Sequence, residues 1–209
     1  MAKNPPKDSI IINVCIIPTQ EVGVKCVELS QSLKSDGTMF VLDGKSKFAH
    51  MTVFMARFGK REVPNILKAV EKITSGVKSF LCKHAGYFMT PGRYFEVSYL
   101  KSIKLKTLHE SLMESLKEYR VNPGDPFEEG YFAPYSEEQR KNAQETGYDL
   151  AYGLYRPHIT LTRYKEGRVP ENHLSFPPSV LSFMVGKICI YEADDNGAVN
   201  KLIKEFILK

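Results

Sequence analysis

The sequence predicts an α+β fold built on antiparallel sheet, and three observations carry that expectation. Segments rich in β-branched and aromatic residues recur, about eight in all, several of them adjacent. Helical spacing of apolar residues is confined to a few stretches between them, which argues against a regular βαβ alternation. A near-repeat stands in opposite halves of the chain: Ala49 to Phe54 (AHMTVF) and Pro157 to Tyr164 (PHITLTRY) each set a His and a Thr two residues apart in an apolar run. The repeat suggests two similar lobes facing each other.

Taken in order, residues 1–9 are polar with Pro5-Pro6 and read as a flexible tail, leaving 10–209 as a single domain. Ile10 to Pro18 is a strand, closed by the proline. Val22 to Lys34 is a helix, with Val22, Cys26, Leu29 and Leu33 on one face and Asp36-Gly37 as its stop. Thr38 to Leu42 is a short strand and Asp43-Gly44 a turn, followed by the first His-Thr strand, which ends at Gly59. A second helix runs from Pro64, favourable in a first turn, to Thr74. Val77 to Met89 and Tyr94 to Leu100 are strands, and Ile103 to Tyr119 is a third helix.

Residues 122–154 form a lid-like insertion. Asn122 to Pro126 (NPGDP) is turn-rich, and a short helix follows: Ser136 with Gln139 is a capping-box pattern, and Gly147 is a C-terminal stop. Aromatics crowd this stretch (Phe127, Tyr131, Phe132, Tyr135, Tyr148, Tyr152, Tyr155), most of them expected to pack it down, with one or two left to stack on a base. After the second His-Thr strand and a polar connection over 170–178, Val180 to Tyr191 and Ala198 to Leu208 read as a hairpin across Asp195-Asn196-Gly197, because Asn-Gly is the strongest short hairpin signal.

Composition excludes several classes. With 209 residues, 43% hydrophobic and 25% charged, the chain is long enough to bury a sizeable core. A net charge of +5 suits a nucleotide or RNA partner without requiring one. Cys15, Cys26, Cys82 and Cys189 lack metal-ligand spacing and read as reduced, buried thiols. No apolar run is long enough to span a bilayer, and Met1 to Ser9 has no leader signature, so a cytoplasmic protein with no membrane partner is expected.

The chemistry lies in the two repeats. Alternation in a strand puts His50 and Thr52 on one face with Met51 and Val53 on the other, and it groups His158, Thr160 and Thr162 against Ile159 and Leu161. If the strands are regular, Arg156 and Thr162 share the second motif's face and would touch phosphate or ribose. Phe54 and Tyr164 also fall on the motif faces, where they would stack a base. Arg163 points the other way. Two imidazoles suit acid/base work on a phosphate: near a pKa of ~6.5 one ring can be neutral while the other is charged. Two hydroxyls can donate to oxygens that gain charge in the transition state. A single His is more often structural, which is the expectation for His84, His109 and His173.

His50-Met51-Thr52 and His158-Ile159-Thr160 resemble the paired H-x-T/S signature of the two-histidine phosphoesterase superfamily. Arg156 to Tyr164 (RPHITLTRY) is especially similar to the second motif of its 2′-5′ RNA ligase and cyclic phosphodiesterase branch, and the closing segment from Lys187 matches that branch's last hairpin in layout. The resemblance spans roughly 10–208; no proline precedes the first motif, where Lys47-Phe48-Ala49 stands instead. It implies a bilobed fold, two pseudo-symmetric lobes of antiparallel sheet with flanking helices around a central groove floored by the motif strands. It also implies metal-independent hydrolysis of 2′,3′-cyclic phosphates or 2′-5′ linkages in RNA or nucleotides, or 2′-5′ ligation by the reverse step, in a monomer with no cofactor and no DNA readout. Two alternatives stand beside it: a non-catalytic RNA- or nucleotide-binding module, disfavoured by the two titrating pairs, and a metal hydrolase, disfavoured by the lack of carboxylate or Cys ligands near either His.

Overall fold

The protein is described here from a computed structural model covering residues 8–121, 135–165, 178–194 and 196–209. Residues 1–7 of the expected 1–9 tail, the NPGDP turn, Phe127, Tyr131, Phe132 and His173 lie outside those residues, while Ser9 of that tail already begins the first strand.

Two four-stranded antiparallel sheets make the frame. The first has the order β10-β9-β1-β3, from Val199–Ile207, Lys187–Ala193, Ser9–Ile16 and Met51–Gly59. The second has the order β2-β7-β6-β5, from Thr38–Val41, His158–Tyr164, Tyr94–Tyr99 and His84–Met89. A two-stranded piece pairs β4 (Phe80–Cys82) with β8 (Phe183–Val185). The α+β architecture with antiparallel sheet is therefore as expected. The chain, however, interleaves the sheets: the first takes its strands from both ends of the sequence, the second from the middle.

Among the described residues four helices flank the sheets. α1 (Gln20–Ser32) buries Val22, Cys26 and Leu29. α2 (Val63–Thr74) carries Pro64 in its first turn, where the missing N–H costs nothing. α3 (Ile103–Leu116) starts at Ser102, whose side chain accepts a hydrogen bond from the Leu105 N–H. α4 (Glu137–Thr146) has both halves of the Ser136–Gln139 capping box, and Gly147 ends it in the left-handed region at φ 82°.

Two expected strands are each split. Val77 to Met89 becomes β4 and β5, broken at exposed Lys83, because its first part pairs with β8 and its second with β6. Val180 to Tyr191 divides likewise into β8 and β9 around Gly186. Periodicity reports that residues are extended; it does not report which sheet they join.

A continuous core unites the two sheets and the helices, and β3 and β7, the two motif strands, run in contact. All four cysteines are buried and free. Among the described residues no helix is long and apolar enough to cross a membrane.

Candidate active site

Both motif strands carry the same irregularity at the same place. Cys15 of β1 pairs with Thr52 and Val14 with Phe54, so the ladder skips Val53. In the second sheet Glu96 of β6 pairs with Thr160 and Phe95 with Thr162, so the ladder skips Leu161. Each is a β-bulge, one extra residue directly after the His-x-Thr triplet. A bulge breaks the strict alternation of faces. Up to the Thr, the His and Thr side chains of each strand stay partly exposed; beyond it, the even-numbered side chains turn into the core.

That accounts for three sequence expectations that fail. Phe54 is 1% exposed and meets the Tyr148 ring edge-on at 6.2 Å. Thr162 is fully buried and donates its hydroxyl to the Phe40 carbonyl. Tyr164 is fully buried too. Buried there, none of them is placed to stack a base or touch a phosphate beside the His-Thr pairs. A regular strand would have kept all three on the His-Thr face, and the extra residue in each strand turns them away.

The two histidines are held alike. The Phe48 carbonyl lies 3.1 Å from His50 Nδ1, and the Arg156 carbonyl lies 2.6 Å from His158 Nδ1. Each ring thus uses one nitrogen on the backbone two residues upstream. Burial is the largest influence on His50 and lowers its pKa from the usual histidine value. The Phe48 and Gly197 backbone groups oppose that shift, while charge on His158 adds to it.

Each sheet also supplies a buried polar partner. Asn13 of β1, fully buried, donates from Nδ2 to Thr52 Oγ1 at 2.9 Å, and its Oδ1 has no hydrogen-bond partner. Accepting from Asn13 leaves the Thr52 hydroxyl proton free to be donated elsewhere. Glu96 of β6, 3% exposed, holds the Arg156 guanidinium through Oε2 and sets Oε1 3.5 Å from His158 Nε2. Arg156, expected to contact substrate, is thus committed in part to Glu96, and its guanidinium carbon lies 4.7 Å over the Phe88 ring. Arg163 bonds the Gly92 carbonyl from Nε at 3.2 Å and sits over Tyr94.

No protein-family model matches the sequence, and no curated protein matches it significantly. Solved structures do match the fold. TT0787 of Thermus thermophilus superposes with a TM-score of 0.63 at 18% identity, over 95% of this chain and 98% of that one. E. coli LigT complexed with phosphate gives 0.59 at 12% identity, over 97% and 99%. Usb1 of Kluyveromyces marxianus gives 0.51 at 9%, over 96% and 97%. All three belong to the two-histidine phosphoesterase superfamily.

The chain has the two-histidine phosphoesterase fold.

Within that fold, sequence reasoning missed Asn13, Glu96 and Phe88. Asn13 carried a signal, an amide inside the apolar run IIINVCII, where an unpaired polar group would be costly. Glu96 offered a similar one, a carboxylate inside the strand YFEVSY. Asp149, placed by the turn after α4, is a further acid close to His158; burial, the largest influence, raises its pKa, and Gln139 bonds it at 3.0 Å. Among the described residues no group of three or more His, Cys, Asp or Glu is arranged to hold a metal.

Proposed function

We propose that the protein is a phosphodiesterase acting on 2′,3′-cyclic phosphate or 2′-5′ linkages of RNA or nucleotides, with His50 and His158 as its acid/base pair. The single observation behind this reading is the matched pair of imidazoles, each pinned at Nδ1 and each beside a Thr hydroxyl on touching strands. The solved relatives lend it support: LigT is described as a 2′-5′ RNA ligase, and its structures hold phosphate and 3′-AMP.

In hydrolysis, His50 takes a proton from water as the water oxygen attacks phosphorus. The bond from phosphorus to a ribose oxygen breaks, and that oxygen receives a proton from His158. His50 suits the base role because burial favours its neutral form. His158 takes the acid role in this scheme, with Glu96 Oε1 3.5 Å from its Nε2. Thr52 and Thr160 donate to the non-bridging oxygens as charge builds on them. With a ribose 5′-hydroxyl in place of water, His50 takes its proton as it attacks a 2′,3′-cyclic phosphate, the bond from phosphorus to O3′ breaks, O3′ receives the proton of His158, and a 2′-5′ bond results.

The test is a panel of nucleoside 2′,3′-cyclic phosphates and 2′-5′-linked dinucleotides, analysed by mass. Wild type should cleave at least one, with activity retained in EDTA. His50→Ala and His158→Ala should each lower kcat/KM by roughly 10²- to 10⁴-fold, with the double variant scarcely worse. Near-wild-type turnover by His50→Ala on every substrate cleaved would overturn the assignment.

A further inference from the structure

Phe88 is a large apolar ring left 42% exposed on the face that carries the motif residues of the second sheet. Directly paired residues share a sheet face. Phe88 of β5 pairs with Glu96 of β6, and Glu96 pairs with Thr160 of β7. The row Phe88–Glu96–Thr160 therefore runs outward from the proposed phosphate position across two strand spacings, roughly 10 Å. That is the reach of one nucleotide from its phosphate to its base.

The first sheet has a matching row, in which Tyr191 of β9 pairs with Asn13, which bonds Thr52. There the aromatic ring is already taken, packed against Phe48 with ring centres 5.5 Å apart. In the second sheet the ring is 42% exposed, with the Arg156 guanidinium over one of its faces.

The charge of that guanidinium is answered by a buried carboxylate. Glu96 grips Arg156 by its edge while Phe88 supports one face, so the planar group is fixed in orientation. A second phosphate would meet the Glu96 charge as well as the Arg156 charge. A neutral planar ring avoids that conflict and gains from stacking on the free face of the delocalised cation, which the Phe88 ring backs on the other side.

We infer that Phe88 and Arg156 form the stacking subsite for the heterocyclic base of a nucleotide whose phosphate lies between Thr52 and Thr160, with Glu96 as the residue that positions Arg156. This rests on the phosphodiesterase reading for where the phosphate sits, but not for its test.

The test compares AMP with ribose 5-phosphate by calorimetry, which needs no turnover. Wild type should bind AMP more tightly by roughly 5- to 150-fold, the ratio expected for one stacked base. Phe88→Ala should bring the ratio close to one, and Phe88→Tyr should keep it. Phe88→Leu retains apolar bulk if the alanine variant misfolds, and should also lose the preference because it has no π-face. Equal affinities in wild type, or a preference that survives Phe88→Leu, would overturn the subsite. Failure to cleave any cyclic phosphate while the AMP preference persists would sink the proposed activity and leave the subsite standing.

Discussion

Thr160 and Thr162 stand two residues apart on one strand and meet opposite fates. The Thr160 side chain is partly exposed, whereas Thr162 is fully buried and spends its hydroxyl on the Phe40 carbonyl. Only the first can donate to a bound phosphate. Thr160→Ala should lower kcat/KM by roughly 10- to 10³-fold with little change in Tm. Thr162→Val should do the reverse, costing about 1–3 kcal/mol by removing the hydroxyl that bonds the Phe40 carbonyl while kcat/KM stays within a few-fold. Steady-state kinetics beside thermal unfolding separates the two, and loss of turnover without loss of stability in Thr162→Val would contradict the bulge-based assignment.

The elements are where the site acquires its precision. Both motif strands bulge one residue after the Thr, and both take a buried polar group from the neighbouring strand, Asn13 in one sheet and Glu96 in the other. α4 is tied to β3 by its C-terminal stop. A Cβ placed on Gly147 would lie 2.9 Å from the Ala56 Cβ and 3.3 Å from Arg120 Nη1, in a backbone conformation that L side chains avoid. Arg120 also bonds the Ala143 carbonyl at 3.3 Å, closing the same end of the helix. Gly147→Ala should therefore destabilise the protein by about 1–3 kcal/mol and loosen the 135–154 segment first. Hydrogen exchange would report this as lost protection in α4; unchanged protection there would refute it.

Across the whole molecule, one buried histidine joins the two motif regions. His109 of α3 lies 2.6 Å through Nδ1 from the Val53 carbonyl of β3 and stacks on Tyr155, just before β7, with ring centres 4.0 Å apart and planes 3° from parallel. Its Nε2 has no hydrogen-bond partner. Burial is the main reason its pKa is lowered, opposed by the Val53 carbonyl and Glu110 and reinforced by Lys101. A depressed histidine binds fewer protons folded than unfolded, so its contribution is complete above about pH 6.5 and is lost as pH falls through the lowered folded value. His50 has the same sign. Asp149, raised by burial, has the opposite sign: its contribution is present in acid and lost as pH rises through its folded value. Tm should therefore decline on going below about pH 6.5, and His109→Gln should flatten that decline. An equally steep decline in the variant would remove His109 as a cause.

The sequence by itself determined the α+β class, the helices within a few residues, the closing hairpin and the two His-x-Thr triplets. Those depend on local periodicity, caps and turn chemistry, which neighbouring residues carry in full. The Ser136–Gln139 capping box and the Gly147 stop were legible for that reason. Tertiary structure alone decided which strands share a sheet, and so the splitting of 77–89 and 180–191. It also decided that Phe54, Thr162 and Tyr164 face the core, because a bulge exists only as a mismatch between two strands and neither strand's sequence records it. Glu96 and Phe88 join the site for a related reason: cross-strand pairing brings them level with Thr160 from more than sixty positions away.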